Sequence, residues 1–222
     1  MRIFSILVLA VLVSGAARAQ AQPSSEPFRR VQVGIGAGVL GGATFGEQPA
    51  DLRAASGSPY RLFESETDLG AAGSFEARVG IALTRRYGVE GRAAIGRPEL
   101  HTVISSDAET TGSFTITEGI DQYVFDGGIV IQLGEWGSVA LTPFASAGFG
   151  YVRQLHEDRG LAETGHLFYV GGGVTHRLFT RQQGLIRGLG LRGDVRLNVF
   201  SMDLDEGSQS QGSVTGSLVL TF

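Results

Sequence analysis

The sequence predicts an all-β fold: an eight-stranded antiparallel up-and-down transmembrane β-barrel. Three observations predict it. Apolar residues alternate with small or polar ones along most of the chain, the connections between these segments alternate in length, and the chain begins with an export signal. Alternation with a period of two is the mark of strands that have two different faces.

The export signal comes first in the chain. A positive residue follows the initiating Met, and Ile3–Val13 forms an apolar run. This run is shorter than the about 20 residues that a spanning helix needs. Ala17 and Ala19 fit an A-x-A cleavage site, as do Ala19 and Ala21. We therefore predict a cleaved signal peptide over residues 1–19, or 1–21, and a barrel domain over residues 28–222.

Eight segments show the alternation. In the clearest segment, Leu69–Leu83, Phe75 and Val79 lie on one face and Glu76 and Arg78 on the other. The predicted strands are Val31–Phe45, Leu69–Leu83, Tyr87–Gly96, Gln122–Leu133, Val139–Tyr151, His166–Phe179, Leu189–Phe200 and Gly212–Phe222. Short connections (84–86, 134–138, 180–188) alternate with long ones (46–68, 97–121, 152–165, 201–211). Such alternation indicates an up-and-down meander, which is the order of a closed antiparallel barrel.

The residues on the polar faces of the strands indicate whether lipid or water surrounds the barrel. They hold Gly, Ser, Thr and a few charges of both signs, as expected of a narrow lumen. The predicted lumen charge network is Glu76, Arg78, Glu90, Arg92, Asp126, Arg177, Arg192, Asp194 and Arg196. Glycines 34, 36 and 38 are expected to leave room for Arg side chains from across the barrel. A soluble secreted lipocalin-like barrel is the alternative fold.

Aromatic residues gather near the strand ends and predict two membrane-interface belts. At the end with short connections these are Tyr87, Trp136, Phe179 and Phe222. At the end with long connections they are Tyr123, Phe125, Phe149, Tyr151 and Phe168. Scattered core aromatics are the alternative explanation.

The last strand resembles that of a known family. Its alternating apolar residues Val214, Leu218 and Leu220 end on the aromatic Phe222, as in the small outer-membrane β-barrel superfamily of OmpA-transmembrane-like and OmpX-like proteins. The resemblance covers residues 28–222. It implies location in the cell outer membrane, contact with outer-membrane lipid and lipopolysaccharide, and recognition of this strand by the outer-membrane assembly machinery.

The other motifs in the sequence do not predict a phosphate, metal or catalytic site. Gly36–Gly41 fits G-x-G-x-x-G, but a phosphate site needs a helix after the strand and none is predicted. The four His residues lack metal-ligand spacing, and Asp203–Gly207 lacks the later Glu of a calcium loop. No His is followed two positions later by Ser, the arrangement of lipid A deacylases. With no Cys in the chain, disulfides and thiolate sites are also excluded. We therefore predict no catalytic, cofactor or metal residues.

The function expected from these observations is a non-enzymatic one. Long acidic loops, for example Glu64, Glu66 and Asp68, favour an envelope-structural or surface-interaction role. A narrow channel for small solutes and a membrane-embedded lipid-modifying enzyme or hydrolase are the alternatives. The formal net charge of −4 suggests no nucleic-acid partner. We expect a monomer.

Overall fold

The computed structural model describes residues 30–53, 59–105, 112–134, 141–156, 162–181, 184–202 and 208–222. The predicted signal peptide, Trp136 and the acidic segments 157–158 and 203–207 lie outside these residues. The strands are β1 Arg30–Leu40, β2 Ala43–Arg53, β3 Pro59–Leu69, β4 Ala72–Ala82, β5 Tyr87–Gly96, β6 Glu99–Ser105, β7 Phe114–Gln132, β8 Leu141–His156, β9 Ala162–Thr180, β10 Gly188–Met202 and β11 Ser208–Thr221. No helix of the described residues is long and apolar enough to cross a membrane.

Eight of the strands close into a ring in the order β1–β4–β5–β7–β8–β9–β10–β11. All neighbours in the ring are antiparallel, and β11 pairs with β1 to complete it, with Ile35 opposite Leu218 and Val39 opposite Val214. The predicted fold class, an antiparallel barrel of eight strands in meander order, is confirmed.

The predicted connections 46–68 and 97–121 are largely strands, which corrects the sequence analysis. β2, β3, β6 and the first residues of β7 form a four-stranded sheet in the order β2–β3–β6–β7, which continues beyond the ring. The alternation was hidden because the polar face of β3 is acidic and because β2 contains Pro49 and a bulge at Gly46. We call this part of the molecule the outer sheet.

The bend between barrel and outer sheet falls at a pair of glycines. The predicted strand Val31–Phe45 is broken at Gly41 and Gly42. A Cβ atom on Gly42 would lie 2.7 Å from the carbonyl oxygen of Leu69, so a side chain at that position would collide with β3. Because Gly42 has no side chain, the chain can turn from β1 into β2 while it stays close to β3.

The outward face of the ring is apolar. Phe75, Phe149 and Phe168 are 70%, 70% and 67% exposed, and Ile35, Val195 and Val214 are exposed with them. Continuous exposed apolar surface of this extent is unfavourable in water and typical of a barrel surrounded by lipid. The soluble lipocalin-like alternative is wrong, because its apolar residues would point inward.

Candidate functional site

The lumen is filled by side chains at the inward positions of the ring strands. Glu76, Arg78, Glu90, Arg92, Asp126, Arg192, Asp194 and Arg196 are all buried, and together they hold four acids and four arginines. Strand register brings some of them side by side, since Arg92 lies opposite Arg78 on one side and Asp126 on the other. We call these eight residues the lumen network.

β10 connects the network across the barrel. The Arg196 guanidinium donates from Nη1 to Asp126 at 3.1 Å and from Nη2 to Glu90 at 3.0 Å. Arg192 donates from Nη2 to Asp194 at 3.0 Å and also reaches Glu90. Because β5 lies four strands from β10 in the ring, the contacts with Glu90 span the full width of the lumen.

β4 and β5 complete the network. Arg78 donates to Asp194 at 2.9 Å and also pairs with Glu76. Arg92 donates from Nε to Asp126 at 2.7 Å and lies 3.4 Å from Glu76. Each of the four guanidiniums thus contacts at least two carboxylates, which is the arrangement that makes buried charge tolerable.

Two aromatic residues that the sequence analysis did not assign to the lumen support the guanidiniums. The Arg192 guanidinium lies 4.0 Å from the ring centre of Phe144, and that of Arg196 lies 4.6 Å from the ring centre of Tyr169. Guanidiniums at this distance from ring faces gain cation–π attraction. A Cβ on Gly148 would lie 2.7 Å from the Tyr169 ring, so this glycine leaves the space that the ring fills.

The outer half of the lumen contains an apolar cluster. Buried residues from five ring strands and the outer sheet pack there, with Phe45 and Leu100 against them; the cluster is Ala43, Leu69, Ala94, Ile120, Val124, Val152, Leu167 and Phe200. Beside it, Gln154 donates to Gln122, Gln122 to Gln211, and Gln211 to the carbonyl of Gly41. Side chains therefore occupy the lumen in two layers, the ionic lumen network and the apolar cluster with its neighbouring glutamines.

Arg177 differs in burial from the other eight residues of the predicted lumen charge network. Its side chain is exposed, and it lies opposite Gly190 near the end of β9, beside a bulge at Leu178. The period-two pattern places Arg177 on the inward face of β9, but it does not show that the residue lies near the end of the barrel.

The glycine prediction for β1 is only partly correct. A Cβ on Gly34 would lie 2.8 Å from Cγ of Arg78, which belongs to the neighbouring strand β4 and not to a strand across the barrel. Gly36 and Gly38 instead lie against Ser217 and Thr215 of β11.

The predicted aromatic residues lie mostly on the outward surface. Tyr87 and Phe179 are exposed at the end with short connections, and Phe125, Phe149, Tyr151 and Phe168 are exposed towards the other end. Tyr123 and Phe222 are half-buried. Phe125 lies opposite Tyr151, and Phe149 opposite Phe168, as cross-strand aromatic pairs. Phe75, 70% exposed, joins these residues although it was not predicted to belong to an aromatic belt.

The outer sheet has one acidic face. Glu64, Glu66 and Asp68 alternate along β3, and Glu99 follows on β6 with Asp68 opposite His101. Glu66 and Glu99 are exposed, and the other two acids are partly exposed. The opposite face of the same strands carries Thr67, Leu69 and Leu100 and continues into the apolar lumen cluster.

Two histidines of the described residues contact polar side chains on neighbouring strands. His156 Nδ1 lies 3.1 Å from Glu118, and His101 Nδ1 lies 3.2 Å from the Thr117 hydroxyl on the exposed acidic face. The second contact is a cross-strand polar pair of the kind common in sheets. No group of three or more potential metal ligands occurs in the described part of the chain.

The apolar outward surface, the buried charges and the eight-stranded ring define a transmembrane β-barrel. The chain has the fold of the small outer-membrane β-barrel proteins. In bacterial outer-membrane barrels the short connections face the periplasm, so we expect the outer sheet of this chain to face outward.

The outer membrane protein OprG from Pseudomonas aeruginosa is similar in fold, with a TM-score of 0.52 and 10% identity over 89% of this chain and 97% of that one. Neisserial surface protein A gives a TM-score of 0.47 and 12% identity over 87% and 97%. The outer membrane protease OmpT from Escherichia coli gives 0.42 and 11% over 92% and 99%. No family model and no curated protein matches the sequence.

Proposed function

We propose that this protein is a non-enzymatic, non-conducting barrel that serves surface interaction through the acidic face of its outer sheet. The observation that carries the proposal is that the predicted loops are hydrogen-bonded strands: β3 pairs with β6 over six residues from Glu64 to Leu69. A paired sheet holds its exposed side chains in a fixed pattern, which favours recognition because little order has to be gained on binding.

The face of the outer sheet is a better contact surface than its edge. The edge strand β2 carries Pro49 and two register shifts, one at Gly46, where φ is +86°. Prolines and bulges prevent another strand from pairing with a sheet edge. The alternating carboxylates of Glu64, Glu66 and Asp68 instead favour a partner with a basic surface.

Neutralising the acidic face is expected to weaken such contact. Cells that carry the variant Glu64→Gln/Glu66→Gln/Asp68→Asn should bind lysozyme-coated beads, a basic probe, severalfold less than cells with the parent protein at low salt. Loss of opposite charge lowers both attraction and encounter rate. Bead retention at equal surface amounts of folded protein measures the effect.

A control variant removes two acids at the same end but off this face. Asp121→Asn/Glu163→Gln should leave bead retention close to that of the parent, because neither residue belongs to the β3 and β6 face. If both variants lost bead retention equally, the effect would be one of net charge and not of this face. Unchanged retention in the triple variant would contradict a role for the face.

A solute channel is the second candidate, and the filled lumen argues against it. An eight-stranded barrel has an interior just wide enough for side chains to fill, and here Arg196 and Phe200 are among the largest fully buried residues. We expect the purified protein in a planar bilayer to show no steady conductance. A stable, ion-selective open state of the parent protein would favour the channel over our proposal.

A further inference from the structure

The periplasmic end of the barrel carries only basic charged side chains among the described residues. Six arginines lie there: Arg30, Arg85, Arg86, Arg177, Arg181 and Arg187. No described Asp or Glu lies in the short connections or the strand ends at this rim; Glu135 of the sequence falls in segment 135–140, outside the described residues. The opposite end holds the acidic face of the outer sheet, so charge is strongly separated along the barrel axis.

Arg85 and Arg86 stand on a tight turn between β4 and β5. The backbone nitrogens of Leu83 and Thr84 both donate to the Tyr87 carbonyl at 3.0 Å, and the Thr84 hydroxyl accepts from the Arg86 nitrogen at 3.1 Å. Both arginines are exposed, and neither makes an ion pair with any residue that the structure describes. A turn of this kind fixes the backbone while the long side chains stay free to reach a ligand.

Arg181 and Arg187 stand on the connection between β9 and β10. The Arg181 nitrogen donates to the Arg187 carbonyl at 2.7 Å, and the Arg187 nitrogen donates to the Thr221 carbonyl at 2.7 Å. Between them Leu185 is 82% exposed and Ile186 is 44% exposed. An apolar tip between two exposed arginines is unfavourable in water, but it suits the boundary between headgroups and acyl chains.

The neighbouring side chains place both turns at the membrane boundary. Leu83 and Tyr87 flank the first pair of arginines and are both 49% exposed on the outward surface; Phe179 precedes the second pair and is 46% exposed. Aromatic residues at this position mark the headgroup level of a bilayer. Arginine side chains beside them can lay their methylene groups on the apolar surface and hold their guanidiniums among the headgroups.

We propose that Arg85, Arg86, Arg181 and Arg187 form a binding belt for anionic phospholipid headgroups in the periplasmic leaflet. The planar guanidinium holds two oxygens of a phosphate at once. The four residues are exposed, lack acidic partners among the described residues, and lie next to exposed apolar side chains. A soluble phosphate would contact the arginines but would leave Leu185 and Ile186 exposed to water.

The test measures lipid selectivity of the folded protein. The parent is reconstituted in phosphatidylcholine vesicles with trace spin-labelled phosphatidylglycerol or spin-labelled phosphatidylcholine, and electron paramagnetic resonance gives the motionally restricted fraction of each. We expect the parent to prefer phosphatidylglycerol by about fivefold, which corresponds to about 1 kcal/mol, and the preference to fall as salt rises. Arg85→Gln/Arg86→Gln and Arg181→Gln/Arg187→Gln should each reduce it, and the quadruple variant should abolish it.

A variant with the same loss of charge at the other end controls for net charge. Arg61→Gln/Arg97→Gln removes two arginines that are ion-paired near the outer sheet, with Asp51 and with Asp121. This variant should keep the preference of the parent. A parent without preference, or a preference that survives in the quadruple variant, would overturn the proposal. All substituted positions of the belt are exposed turn residues, and migration of unboiled samples confirms that each barrel is folded.

Discussion

Replacing Arg196 with methionine is expected to lower the free energy of unfolding of the barrel by about 3–5 kcal/mol, since removing one partner of a buried ion pair leaves uncompensated charge. Arg196 is among the most buried side chains, and its guanidinium contacts Asp126 and Glu90. The variant would leave four acids and three arginines in the lumen network. Urea unfolding in lipid vesicles, followed on gels of unboiled samples, measures the change.

Two further variants separate charge from packing. Arg177→Met removes an exposed arginine of the same barrel and should change stability by less than about 1 kcal/mol. Arg196→Met/Asp126→Asn restores equal numbers of acids and bases, so it should recover part of the loss, with Arg92 still held by Glu76. Equal destabilisation by Arg196→Met and Arg177→Met would refute the structural role of the lumen network.

Changing Phe222 to Ser is expected to lower the yield of assembled barrel in cells severalfold, because the resemblance of the last strand implies that the assembly machinery recognises its terminal aromatic residue. In the structure Phe222 is half-buried, and its backbone nitrogen donates to the Val31 carbonyl at 2.9 Å, at the seam where β11 meets β1. The measurement is the fraction of protein in the outer membrane that migrates differently unboiled and boiled.

Refolding of the purified protein distinguishes recognition from stability. Phe222→Ser keeps the backbone hydrogen bond at the seam and removes a half-buried side chain, so refolding into detergent micelles without other proteins should change little, by about 1 kcal/mol or less. Phe222→Tyr keeps an aromatic ring and should assemble in cells like the parent. A Ser variant that assembles normally in cells, or one that fails equally in micelles, would contradict the recognition role.

The local pattern of the sequence determined the barrel strands and their two faces. Period-two alternation is a property of neighbouring residues in one strand, so the inward position of Glu76, Arg78 and Asp194 followed from the chain alone. Charges at mid-strand positions would be unfavourable in lipid, by about 2–4 kcal/mol for arginine at the bilayer midplane. Their inward direction was therefore predictable without any knowledge of their partners.

The tertiary structure alone decided which charges meet. Arg196 reaches Glu90 across the lumen, 106 positions away in sequence, and such a contact depends on strand register and on the position of each strand in the ring. The bulge at Leu178 and the position of Arg177 near a strand end are likewise register properties. The outer sheet was not predicted from the sequence. The pairing of β3 with β6 depends on backbone hydrogen bonds between distant segments. Such bonds leave little trace in the side-chain pattern of a strand as acidic as β3.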